Sequence, residues 1–173
     1  MIALAIAGTP QEVVDLEHEL DRAFPLSAYN MGYYRPVTEG LMAARRKASP
    51  AEVLRALTPA VPYELGQVAD LLPIYIRARL LRDSGDGVDA VQEFQRLLDH
   101  RGIDPTSPLL PLAHLGLARA HRQLSQTSQS CTEYREFLRE WKDGDPQVLP
   151  EARRPGSARS HTKTSRLFFV STC

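Results

Sequence analysis

The chain has 173 residues, 43% of them hydrophobic, and its 21 Lys and Arg balance 21 Asp and Glu, enough for one domain with a real core. The balance is uneven: Arg153, Arg154, Arg159, Lys163 and Arg166 meet no acidic residue after them, so the body before them is net acidic, which argues against nucleic-acid affinity built on phosphate neutralisation. No stretch approaches the ~18 apolar residues of a membrane span, and the apolar start at residues 1–7 lacks the basic region of a signal peptide.

In chain order, a short helix is expected over residues 1–7. Thr9-Pro10-Gln11-Glu12 then reads as a capping box: Thr caps, Pro takes the first helical position where no N–H is needed, and Glu reaches back. It opens a helix over 10–23. A helix over 27–47 carries Tyr29, Tyr33 and Tyr34, a cluster that is either a ligand surface or, as is commoner for large aromatics, core. Ser49-Pro50-Ala51-Glu52 repeats the start signal 40 residues after the first and opens a helix over 50–58. A connection with two prolines and a glycine follows at 58–66.

The next helix, over 69–83, is apolar on two faces. Leu71, Ile74, Tyr75, Ala78 and Leu81 form one, and Leu72, Ile76 and Leu80 form the other, so it must be covered on two sides. Asp86-Gly87-Val88-Asp89 is a weaker start, 37 residues after Ser49. It opens 87–100, with Ala90, Val91, Phe94, Leu97 and Leu98 at helical spacing. After a connection at 102–108, a helix over 108–124 is again apolar around Ala113, Leu117, Ala118, Ala120 and Leu124. A degenerate start at 126–129, 40 residues further on, opens 127–142 with Cys131, Tyr134, Phe137, Leu138 and Trp141. Only residues 167–170 look β-like. The expected class is all-α, built from repeated helix pairs that obtain a core by stacking.

The pattern of small and large residues resembles tetratricopeptide (TPR) repeats. Ala78, Ala90 and Phe94 fit one copy, Ala118, Ser130 and Tyr134 the next, and Gly8, Val13 and Pro25 the tail of an earlier one. The copy ending near Leu57 has Leu41 and Val53 where small residues are usual. Four stretches carry a narrower likeness: Pro62-Tyr63-Glu64-Leu65-Gly66; Glu93-Phe94-Gln95 with Leu98-Asp99-His100-Arg101-Gly102; the LGLARA run at 115–120; and Tyr134-Arg135-Glu136-Phe137-Leu138 with Trp141-Lys142-Asp143. Together they resemble the C-terminal TPR region of bacterial eukaryote-like Ser/Thr protein kinases. Related TPR segments also follow winged-helix DNA-binding domains in bacterial transcriptional regulators.

The resemblance implies a TPR-like superhelix over residues 1–152, its first repeat lacking the front half. It implies a protein- or peptide-binding scaffold, the sensory or interaction part of a larger signalling protein. The chain is expected to be cytoplasmic, and residues 153–173 to form a basic, disordered tail unrelated to the fold. In those kinases the catalytic domain lies upstream. Here there is no Gly-rich phosphate loop, no lysine strand and no catalytic-loop Asp. His100-Arg101-Gly102 lacks the base and reads as a helix end, with basic residues at the negative dipole terminus and a Gly cap. No catalytic residue, cofactor or phosphoryl transfer is expected.

Metal chemistry finds no support in the sequence either. His114 and His121 share a helix face two turns apart with no Cys or carboxylate in that helix to complete a site, and His121 falls where TPR repeats place an aromatic. Cys131 reads as a buried free thiol, in keeping with a reducing setting. The candidate site is a set of arginines. Arg79 and Arg119 are 40 apart, and Arg45, Arg82 and Arg122 are spaced by 37 and 40, the repeat lengths themselves. The TPR resemblance puts these positions on the concave groove, with Arg46 beside Arg45. A register offering arginine and no acid suits an acidic peptide or a C-terminal carboxylate, which a guanidinium takes bidentately.

Overall fold

The computed structural model of the chain describes residues 1–66 and 71–142. Among these residues all regular structure is helical: α1 (Ile2–Ala7), α2 (Pro10–Ala23), α3 (Arg35–Arg45), α4 (Pro50–Leu57), α5 (Leu72–Asp83), α6 (Gly87–Asp99), α7 (Leu109–Gln123) and α8 (Thr127–Glu140). A π-helical turn at Asn30–Tyr34 precedes α3, and a 3-10 turn at Thr58–Tyr63 follows α4. No described helix is long and apolar enough to cross a membrane. The expected tail at 153–173, its β-like stretch and the last residues of the expected repeat region lie outside the described residues.

The start signals work unequally. The Thr9 hydroxyl accepts the Glu12 N–H, and Glu12 accepts the Thr9 N–H at 2.7 Å. That backbone bond holds the Glu12 carboxyl below the usual carboxylate range. Ser49 accepts the Glu52 N–H at 3.3 Å, but the Glu52 carboxylate turns to Arg46 instead of reaching back, so the second box is half-formed. Asp86 and Gln126 make no side-chain cap.

What does repeat is the turn before each start. Lys47, Gly85 and Ser125 have φ of 57°, 87° and 59°. After each of them an N–H reaches back to the carbonyl five residues earlier: Ala48 to Ala43, Asp86 to Leu81 and Gln126 to His121, at 3.0, 2.9 and 2.8 Å. This is the Schellman closure, and it joins α3 to α4, α5 to α6 and α7 to α8 in the same way. Glycine takes the left-handed position without steric cost only at Gly85.

The helix expected over 27–47 is divided. Pro36 has no N–H for the Gly32 carbonyl and its ring crowds that carbonyl. The chain widens into the π turn, in which the Arg35 N–H bonds the Asn30 carbonyl. Gly32 then lies under Tyr63, so close that a Cβ would stand 2.4 Å from the ring. The tyrosine cluster is mostly core: Tyr33 is 1% exposed and packs with Val37 and Ala60. Tyr29, more exposed, meets Tyr63 edge-on with centroids 5.9 Å apart.

Helix α5 packs on α6, α6 on α7 and α7 on α8, and α5 also reaches α7; on the other side α3 packs on α4 and α1 on α3. The two apolar faces of α5 enter two separate clusters. Leu71, Ile74 and Ala78 join Ala90, Phe94 and Leu117, whereas Ile76, Leu72 and Leu80 join Ala43, Val53 and Leu57. Phe94 is fully buried and acts as a wedge: a Cβ on Gly116 of α7 would lie 2.2 Å from its ring. Leu57 stands over Gly40 in the same manner, at 2.6 Å. In the last pair the Ser130 hydroxyl donates to the Ala118 carbonyl at 2.8 Å, which draws α8 close to α7.

A charge network joins the segment after α4 to α5 and α6. Glu64 has no exposed side-chain surface and is held by Arg77 at 2.7 Å and Arg96 at 2.6 Å. Glu93 closes the group, 3.0 Å from Arg77. Burial lowers the Arg77 pKa, but Glu64 and Glu93 outweigh it and leave the guanidinium more firmly protonated than usual. Cys131 is buried but disulfide-bonded. That corrects the expectation of a free thiol and removes the thiol as a ground for a reducing setting.

Two outcomes follow from this packing. Gly116→Ala forces a methyl into the Phe94 ring and is expected to cost about 1–3 kcal/mol in urea unfolding; an unchanged midpoint would show that the ring is not wedged there. Glu64→Gln leaves two guanidiniums without their shared carboxylate and is expected to cost about 3–5 kcal/mol; a loss under about 0.5 kcal/mol would make the network a bystander.

Candidate functional site

The Phe94 wedge settles α7 beside α5, and the two helices face each other across a cleft of about 200 Å³. Helix α5 contributes Tyr75, Arg79 and Arg82, at steps of four and three; α7 contributes Leu112, Gly116 and Arg119, at the same steps. Both sets are single helical faces. The absence of a side chain at Gly116 serves twice, by admitting Phe94 from one side and by leaving space in the cleft on the other.

The cleft is basic, and part of it is braced. The Arg79 guanidinium carbon lies 5.8 Å from the centre of the Tyr75 ring, a cation–π arrangement, and Tyr75 itself rests edge-on against Phe94 at 6.1 Å. Arg82 has a side chain only 12% exposed and donates from Nε and Nη2 to one Asp83 oxygen, at 2.9 and 2.6 Å. Gln123 of α7 donates to the Arg82 carbonyl at 3.1 Å and ties the end of α5 across the cleft. Arg119 is half-buried on the opposite wall. Three guanidiniums therefore gather on the walls of one small, partly dry space, with Asp83 beside Arg82.

The structure brings together three of the six expected arginines and disperses the others. Arg45 is a structural brace: its Nη1 donates to the Ala5 and Gly8 carbonyls at 2.8 and 2.9 Å, satisfying the C-terminal end of α1. Arg46 is exposed and paired with Glu52. Arg122 is exposed in the last turn of α7 and does not line the cleft. The register is also not free of acid, since Asp83 engages Arg82 and Glu52 engages Arg46.

The histidines occupy other roles. His114 Nδ1 lies 2.6 Å from Glu133 of α8, a pairing invisible within one helix. His121 bonds Gln126 at 2.7 Å instead of filling an aromatic's place. Among the described residues no three metal-ligating side chains come together. His100 caps α6, its ring nitrogen 2.8 Å from the Arg96 carbonyl. Gly102 takes no positive φ, so the expected Gly cap is not used. Tyr75 is the site residue that sequence reasoning missed; it appeared only as a core position, and its position four residues before Arg79 was the available signal. Comparisons of the chain with protein-family models, with curated proteins and with solved structures found no match.

Proposed function

We propose that the chain is a non-catalytic, TPR-like binding module that takes an acidic peptide segment of a partner protein in the cleft between α5 and α7. The observation that carries this is the convergence of Arg79, Arg82 and Arg119 on one cleft of about 200 Å³ in a body that is otherwise net acidic. Tyr75 orients one guanidinium in advance, which lowers the ordering cost of capture. The Leu112 and Leu115 side chains offer apolar surface beside the charges, so an acidic residue next to an aliphatic one is the best fit. The consecutive packing of α5 to α8 and the repeated Schellman turns support the repeat reading. The sequence resemblance supports a place as the interaction part of a bacterial signalling protein.

The test is binding of acetylated hexaglutamate, with hexaglutamine as the neutral control, followed by fluorescence anisotropy at two salt concentrations. The double variant Arg79→Ala with Arg119→Ala is expected to weaken hexaglutamate binding by about 2 kcal/mol, roughly thirty-fold, and to flatten the salt dependence. Arg122→Ala, outside the cleft, is expected to leave affinity within about two-fold. Equal loss in both variants would mean that bulk charge, not the cleft, attracts the peptide.

A further inference from the structure

The helix-pair arrangement fails at one place. Eight residues after the cap of each second helix stands the residue that meets the neighbouring helix: Leu57 in α4, Phe94 in α6 and Tyr134 in α8, all buried. In α2, capped by Thr9, the same position is Glu17. A carboxylate cannot serve as an apolar wedge, and α2 leans only lightly on α3, whereas α6 packs fully on α7. The result is a cleft of about 550 Å³ between α2 and the α3–α4 pair, within the range of small-molecule sites.

The walls of this cleft are one face of each helix. Val13 and Val14 of α2, Met42 and Ala43 of α3 and Ala56 of α4 form an apolar sleeve. Glu17 and Glu39 lie at one end. Burial raises the Glu17 pKa; Arg35 opposes this, while Glu39 and Asp21 add to it. Arg35 is already tied to Asp21 at 2.5 Å, so three carboxylates share one guanidinium there. Beside them Thr38 is fully buried and lines the cleft, and its hydroxyl has no hydrogen-bond partner. A buried hydroxyl without a partner is costly, and a ligand that bonds it recovers that cost. At the other end Arg46 is occupied by Glu52, and Arg55 is exposed.

We infer that this cleft is a binding site for a small organic amine, its ammonium received by Glu17, Glu39 and the Thr38 hydroxyl and its aliphatic stem lying in the sleeve between α2 and α3. An ammonium fits because it donates in three directions, to two carboxylates and a hydroxyl oxygen. The stem fits because the sleeve is apolar and long enough: seven residues separate Glu39 from Arg46, about 10 Å of helix. The site is independent of the arginine cleft, which lies between other helices and carries the opposite charge.

Hexylammonium, hexanoate and hexanol, equal in length and different in head group, test this by NMR titration of the full chain. Hexylammonium is expected to bind at least about ten-fold tighter than either of the others, with shifts confined to α2, α3 and α4. Glu17→Gln is expected to weaken it about ten-fold. Thr38→Val, which removes the orphan hydroxyl at equal volume, is expected to weaken it a few-fold while raising Tm. Glu17→Leu restores the wedge and is expected to close the cleft, abolishing binding. If that variant does not fold, Glu17→Gln and Thr38→Val decide alone. Equal affinity for hexylammonium and hexanoate, no binding of hexylammonium at about 10 mM, or unchanged affinity in Glu17→Gln would overturn the assignment.

Discussion

The seating of Phe94 against Gly116 is the constraint on which the packing of α5 to α8 depends. A ring whose atoms would stand 2.2 Å from any Cβ at Gly116 can enter only because that carbon is absent. Its insertion fixes the position of α7 relative to α6, and through α6 relative to α5. The cleft between α5 and α7 is a consequence, as is the meeting of Arg79 and Arg119 across it. Tyr75 passes the same constraint to the charged surface, since it rests on Phe94 below and on the Arg79 guanidinium above. Core packing and electrostatics are thus one chain of contacts: ring in notch, ring on ring, cation on ring.

The contrast with Glu17 shows what the wedge does. At the corresponding place in α2 the side chain is a carboxylate, the helix leans only lightly on its neighbour, and a cleft remains there with the unpartnered Thr38 hydroxyl in its lining. The first half of the chain is held by other means: α1 lies on α3, Arg45 braces the end of α1, and Leu57 fills the notch at Gly40. The two halves meet through the cluster of Ile76, Leu57 and Ala43 and through the clasp of Glu64 between Arg77 and Arg96. A buried carboxylate shared by two guanidiniums is directional in a way that an apolar patch is not, so it fixes how the Glu64 segment docks on α5 and α6.

Much of this was legible in the sequence because it is local. Among the described residues every helix except α3, which begins only at Arg35, falls close to its expected limits, and the two faces of α5 entered the two clusters that their spacing implied. Caps and 3.6-residue periodicity need only neighbours in the chain. What was not legible depends on distant partners. Arg45, spaced by the repeat length from Arg82, looked like a groove residue, but the carbonyls at the end of α1 lie within its reach, and Arg45 satisfies them. Arg46 and Arg122 lost their expected place for a similar reason: repeat spacing fixes a register along the helix, not which surface remains open. Glu64 gave no sign of its burial, because its partners lie 13 and 32 residues away in other helices. The π turn was hidden although Pro36 marked it, since a proline in a helical pattern signals a disturbance without stating its form.

A site made of Arg79, Arg82 and Arg119 would respond to an acidic ligand as a unit, and a structural Arg45 would not. Arginine side-chain Nε–Hε resonances, followed by NMR as hexaglutamate is added, test this most directly. The signals of Arg79, Arg82 and Arg119 are expected to shift together and saturate at one concentration, with Arg45, locked on the α1 carbonyls, unmoved. Shifts spread evenly over all the arginines, or confined to Arg45, Arg46 and Arg122, would contradict it.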